Sequence, residues 1–156
     1  SKNEIGVRAE LLLFVAARAQ LVEKVIRPAL DAGKLVICDR YIDSSVAYQG
    51  FGRGIDIQDV HSCNKFATGN LVPNLTFFLD VPTTVGLGRT SSRGEKILDR
   101  MESAGESFFD KARNGYLSIA ANEPGRFIVI DGRLTPEEIH MEIWKQVGKQ
   151  LKVKDN

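Results

Sequence analysis

Asp39 and Arg40 stand together where an apolar run, "LVIC", gives way to a polar one, "YIDSSVAYQGFGRG". If the apolar run is a strand of an open parallel sheet, the pair lies just beyond its carboxyl end, where such sheets bind ligands. A fixed cation there suits a phosphate group, because the planar guanidinium gives two parallel hydrogen bonds to phosphate oxygens. The ordinary alternative is that Asp39 and Arg40 pair with each other or with a helix end. Ser44, Ser45, Tyr48 and Gln49 weigh against it. Within a turn or two they offer small donors, acceptors and one aromatic ring, a set better fitted to a sugar or a base edge than to a core.

A second cluster is Arg89, Arg93 and Arg100 in "GRTSSRGEKILDRMESAG". Loop arginines are most often solvated surface charges. Here they flank a Ser/Gly-rich stretch between two helical patterns, a composition suited to a lid over residues 89–104. His61 and His140 are far apart on expected helix surfaces, so no metal site or catalytic triad is expected.

These groups need elements to hold them. The spacing of Leu11, Leu12, Phe14, Val15, Leu21, Val22, Val25 and Ile26 predicts a helix from about Asn3 to Ala32, stopped at Gly33 and rearranged near Pro28. Leu35–Asp39 predicts a buried strand, and Ser44–Gln49 a helical patch followed by a glycine-rich turn. A helix capped by Asp56 and ended at Gly69 follows. "LTFFLD" and "RFIVID" predict two further strands, ending in Asp80 and Asp131. Between them lie a helix starting at Thr83 or Thr84 and an amphipathic one containing Phe108 and Phe109. The last helix opens on Thr135, Pro136 and Glu138, a capping box with proline at the first helical position. Trp144 is expected to face the core. Alternating strands and helices imply an α/β fold with a parallel sheet covered by helices on both faces.

With 156 residues and 43% hydrophobic content, the chain supports a single domain with a sizeable core. Its 21 basic and 20 acidic side chains leave a formal charge of +1, which argues against a nucleic-acid surface but leaves room for one small anion. Cys38 and Cys63 are the only cysteines. Cys38 lies inside the apolar run, so a buried thiol and a reducing, cytoplasmic setting are expected. No apolar stretch is long enough to span a membrane, and the first residues do not look like a signal peptide.

"LLLFVAARAQLVEKVIRPAL", "VICDRYIDSSVAYQGFGRGID" and "NLTFFLDVP" resemble, in order and spacing, the corresponding blocks of the bacterial thymidylate kinase family. The resemblance covers nearly all of the chain. The Asp-Arg-Tyr block with its Ser-Ser and Tyr-Gln continuation is its most specific part. It implies a three-layer P-loop kinase-like fold. It also implies phosphoryl transfer from ATP, with Mg²⁺, to dTMP, giving dTDP and ADP for dTTP synthesis, in a cytoplasmic homodimer.

For particular positions the resemblance implies that Phe14 stacks on thymine and Arg18 hydrogen-bonds its exocyclic oxygen. Phe14 and Arg18 are four apart, hence on one helix face, although spacing alone would read Phe14 as a core residue. Arg40 corresponds to the arginine that holds the acceptor phosphate, with Asp39 beside it to orient it or to hold a Mg²⁺-bound water. Ser45 and Gln49 correspond to positions facing the base. Tyr48 corresponds to the ring against the sugar that disfavours a 2′-hydroxyl. Arg93 and Arg100 are expected to supply charge during transfer. Arg89, Asp131 and Arg133 are expected near the donor nucleotide; a strand-ending Asp-Gly is also an ordinary turn.

The absence of a catalytic histidine fits this chemistry. The attacking oxygen belongs to a phosphate monoester that is already largely ionised near neutral pH, so positioning and charge neutralisation suffice.

The chain departs from the family in one respect: no "GxxxxGK[ST]" run occurs in it. That loop cradles the donor phosphates. It and the first strand are expected upstream of Ser1, which is then not the natural start, and the chain alone is expected to be inactive. Two alternatives remain at this point, a deoxynucleoside kinase and a non-catalytic nucleotide-binding fragment.

Overall fold

The computed structural model describes residues 5–92 and 105–151, without the side chains of residue 87 and residues 89–92. Helix α1 (Val7–Leu21) passes without a break into π-helical turns at Val22–Ile26 and then α2 (Arg27–Asp31). The π-helical turns come just before Pro28. A proline lacks an N–H, and its ring clashes with the carbonyl four residues back; widening the helix there relieves the clash. Gly33, at φ 71°, ends the run, with the Lys34 N–H bonding back to the Ala29 carbonyl.

Helix α3 (Ile42–Ser45) likewise widens into π-helical turns, Val46–Gly52. Next comes α4 (Ile57–Thr68). Its cap is as expected from sequence: the Asp56 carboxylate accepts from the N–H groups of Gln58 and Asp59, and Gly69 closes the helix in the left-handed conformation. Strand β1 (Thr76–Asp80), α5 (Thr83–Ser92), α6 (Glu106–Asn122), β2 (Phe127–Asp131) and α7 (Pro136–Leu151) complete the described chain. The capping box of α7 is formed, with Thr135 N donating to Glu138 Oε2 at 2.8 Å and Glu138 N to Thr135 Oγ1 at 3.3 Å.

β1 and β2 pair in parallel, in a register that sets Asp80 opposite Asp131. Two carboxylates therefore mark the carboxyl edge of the sheet. The core beneath them gathers Leu11 and Val15 of α1, Val46, Val60, Ile119 and Phe127. α6 packs on the π-helical turns at Val46–Gly52 and on β2, while α1 packs on α4.

Three expectations need correction. Leu35–Asp39 is not a paired strand: residues 34–38 are extended but unpaired, with Leu35 68% and Ile37 89% exposed. A strand is completed by its neighbours, and no described strand lies beside this segment, so among the described residues the sheet has two strands where the sequence predicts three. For the same reason Cys38 is exposed rather than buried. Trp144, 59% exposed, stacks on His140 along α7 instead of entering the core.

Candidate functional site

Arg18 is where the site begins. Its guanidinium, on the last turn of α1, donates from Nη1 to Asn64 Oδ1 at 2.6 Å and from Nη2 to the Tyr41 carbonyl at 3.0 Å and Ser45 Oγ at 3.1 Å. Asn64 turns its oxygen toward Arg18 because its Nδ2 donates to the Ile42 carbonyl. Burial lowers the Arg18 pKa, while Tyr41, Cys38 and Asp43 pull it back up. The side chain is thus held by α3, α4 and the turn after Arg40. Three of its five N–H donors are used, and two remain for a ligand. Phe14, one turn earlier on the same helix, is 47% exposed, so its ring is not sealed in the core.

Arg40 sits at the end of the unpaired extended segment with φ 64°, a left-handed conformation that non-glycine residues rarely adopt. Its guanidinium carbon lies 5.6 Å from the centroid of the Tyr48 ring. Both line a cleft of about 280 Å³ together with Phe78, Phe109, Arg113 and Tyr116. The charged groups of that lining, Arg40 and Arg113, are both cations. Asp39 is exposed beside Arg40.

The Tyr48 ring is fixed on further sides. It stacks with Phe108 at 5.9 Å and meets the edge of Tyr116 at 5.8 Å. Tyr116 Oη in turn bonds to Ser44 Oγ at 2.8 Å, and burial pushes its pKa up.

Ser45 and Gln49 are buried. Ser45 meets Arg18, whereas the Gln49 amide donates to Glu10 Oε1 at 3.0 Å, a carboxylate that also holds Arg53. The two therefore belong to separate hydrogen-bond networks.

At the sheet edge Arg113 clasps Asp80 with two hydrogen bonds, of which Nη2 to Oδ2 is 2.8 Å. Asp80 and Asp131 contribute, with Arg113 and Arg133, to a second cleft of about 280 Å³. Arg133 donates from its backbone and guanidinium to Asp131, which draws that carboxyl from 3.8 down to about 2. Asp131 and Arg133 thus pair with each other across Gly132. Arg93 and Arg100 lie outside the described residues, and so does the Arg89 side chain. Arg113, Asn64, Glu10, Arg53 and Phe108 are part of these networks but were not anticipated; each is joined to its partner across 30 or more residues, and no local spacing signals that.

The fold and the clefts define an α/β protein that presents arginines and aromatic rings together, as a nucleotide-binding enzyme does. A thymidylate kinase family model matches residues 1–143. A thymidylate kinase of Chlorobium chlorochromatii is 46% identical over 162 residues, covering 98% of this chain and 73% of that protein. One from Kosmotoga olearia is 50% identical over 137 residues, covering 88% and 65% respectively, and one from Deinococcus radiodurans 44% over 147 residues, covering 94% and 70%. The chain belongs to the thymidylate kinase family. It spans roughly two thirds to three quarters of the length of these relatives.

Proposed function

We propose that this protein transfers a phosphoryl group from ATP to dTMP, forming dTDP and ADP. The observation that carries the reading is the cleft in which Arg40, laid against Tyr48, and Arg113 are the charged groups among aromatic walls. The cation and rings of that lining match a sugar and its anionic group, while Phe14 and Arg18, which take the base in this reading, are not part of the lining. Arg40 holds the 5′-phosphate, Tyr48 faces the sugar, and Arg18 offers its two spare N–H groups to a carbonyl of the base stacked on Phe14. Ser45 keeps Arg18 in place. Gln49, tied to Glu10, helps hold the turn that carries Tyr48.

The acceptor oxygen is an ionised phosphate oxygen, so no side chain has to remove a proton from it. Arg40 neutralises charge as the group moves, an effect worth on the order of several kcal/mol when preorganised, whereas Arg113 is already paired with Asp80. Mg²⁺ arrives on the phosphate oxygens of ATP and belongs to that substrate. The donor side takes in the second cleft, with Asp131 and Arg133 near the donor nucleotide and lid arginines Arg89, Arg93 and Arg100 closing over it. The "GxxxxGK[ST]" cradle is absent from these 156 residues, so the chain by itself supplies the acceptor side and is expected to bind dTMP without turning it over.

No described helix is long and apolar enough to cross a membrane. The exposed Leu12, Leu13 and Val25 of the first helical run support a homodimer packed through it, within a cytoplasmic enzyme of dTTP synthesis.

Coupled ADP release by the native protein tests the assignment. Turnover with dTMP, and little with thymidine or other monophosphates, is the expected result. Turnover with another monophosphate and none with dTMP would overturn it.

A further inference from the structure

Phe108 joins Arg53, Tyr48 and Arg40, which share one stretch of the chain, in a run of ring and cation contacts that ends at the acceptor cation. Arg53 lies with its guanidinium carbon 4.4 Å from the Phe108 ring centroid. Phe108 stacks on Tyr48 at 5.9 Å with an interplanar angle of 24°, and Arg40 lies 5.6 Å over Tyr48. The far end is anchored, because the Glu10 carboxylate accepts from Arg53 Nε at 3.2 Å and Nη2 at 3.3 Å and is itself buried. Phe108 is 6% exposed and presses on the backbone at Gly52, where a Cβ would come within 2.6 Å of its ring.

The Arg40 carbonyl accepts from Cys38 Sγ, but among the described residues its guanidinium makes no side-chain hydrogen bond or ion pair; its contact is the Tyr48 face. Tyr48 in turn depends on the rings beside it. Phe108 itself does not line the cleft.

We infer that Phe108, seated between Arg53 and Tyr48, is a positioning residue that aims the Arg40 guanidinium at the acceptor phosphate. The inference rests on the reading of Arg40 as the phosphate-holding group. A guanidinium set against a fixed aromatic face keeps its N–H fork free in the ring plane's direction. Loosening the ring lets the fork wander, and only a ligand that carries a phosphate senses the change.

Calorimetric titration of the native protein with dTMP and with thymidine reads this directly, as the ratio of the two affinities. Arg40→Ala is expected to abolish the preference for dTMP. Phe108→Leu is expected to reduce it about fivefold, the scale of one partly exposed cation–π contact. In the Arg40→Ala background, Phe108→Leu should leave the ratio where it is, since the cation it acts through is gone. Arg53→Lys keeps the charge facing Glu10 but removes the planar face over Phe108. It should lower the ratio in the same direction, and it decides the matter if the leucine variant fails to fold.

An unchanged ratio in Phe108→Leu or, should that variant not fold, in Arg53→Lys, together with loss of preference in Arg40→Ala, overturns the positioning role alone. A ratio that falls further when Phe108→Leu is added to Arg40→Ala also overturns it. A preference that survives Arg40→Ala overturns both this role and the phosphate-holding role of Arg40.

Discussion

Arg18 and Asn64, 46 residues apart, meet in a 2.6 Å hydrogen bond that joins the end of α1 to the middle of α4. The bond has a sense: Asn64 must accept from Arg18 because its amide nitrogen is committed to the Ile42 carbonyl. Asn64→Leu therefore leaves a half-buried guanidinium short of an acceptor, at a cost of about 1–3 kcal/mol in unfolding free energy. Chemical denaturation checks the loss. Thymidine and dTMP should both bind more weakly to this variant, by similar factors, because Arg18 is assigned to the base and not to the phosphate.

Arg40 is held at φ 64°, where a Cβ is strained. Replacing it with alanine removes the charge and keeps the strain; replacing it with glycine removes both. Arg40→Gly should therefore be more stable than Arg40→Ala, by about 1 kcal/mol, while both lose the preference for dTMP. Thermal melts of the two variants side by side provide the comparison.

Buried Asp43 and partly buried Arg126 pair, 2.8 Å at Nη2–Oδ1 and 2.8 Å at Nη1–Oδ2, which ties α3 to the residue before β2. Thr76 adds its hydroxyl to the same carboxylate. The hydrogen bonds that Arg126 donates to Asp43 raise its pKa further above its ordinary value. Asp43→Ala leaves a partly buried cation with Glu123 as its remaining carboxylate partner. A loss of about 1–3 kcal/mol is expected in urea unfolding.

Asp131 should titrate well below an ordinary aspartate. Its hydrogen bonds from Arg133 depress the folded-state pKa from 3.8 to about 2. A depressed carboxyl pKa contributes stability that is present above the unfolded value and lost as pH falls through the folded one. The Asp131–Arg133 contact is thus intact at neutral pH and lost between about pH 4 and pH 2. An NMR titration of the Asp131 carboxyl carbon locates the midpoint, and Arg133→Ala should move it upward.

Gly52 lies against the Phe108 ring, with 2.6 Å from an added Cβ to Cε2. Gly52→Ala forces the ring out of its seat and is expected to destabilise the protein by about 1–3 kcal/mol. Near-ultraviolet circular dichroism, which reports the packing of Phe108, Tyr48 and Tyr116, should change with it.

The elements around the site were largely legible in the sequence because their signals are local. The π-helical disturbance ahead of Pro28 comes from the geometry of one ring. The strands at Thr76–Asp80 and Phe127–Asp131 follow from short apolar runs closed by acids. The run at Leu35–Asp39 has the same appearance and is not a paired strand, since pairing is a property of neighbours that the run itself does not contain. Trp144 misled in the same way: an apolar ring on an amphipathic helix suggests a core, but the contact it found was His140 on its own helix. Within the site, Arg18 and Ser45 were recognised separately, and so were Arg40 and Tyr48. That they meet pairwise, with Gln49 set apart on Glu10, is visible only once the helices are packed.

The sequence alone determined the helix caps, the parallel character of the sheet, the polar edge after Cys38 and the family to which these blocks belong. The caps and the polar edge depend on residues within one turn or one strand of each other, where covalent geometry dictates proximity, and the sheet and the family follow from the order of such local blocks along the chain. Tertiary structure decided which groups act together: Asn64 for Arg18, Arg113 for Asp80, and the stack from Arg53 through Phe108 and Tyr48 to Arg40. Asn64 and Arg18, Arg113 and Asp80, and Phe108 and its partners lie far apart along the chain, and only burial of the surfaces between them brings their charges and rings within reach.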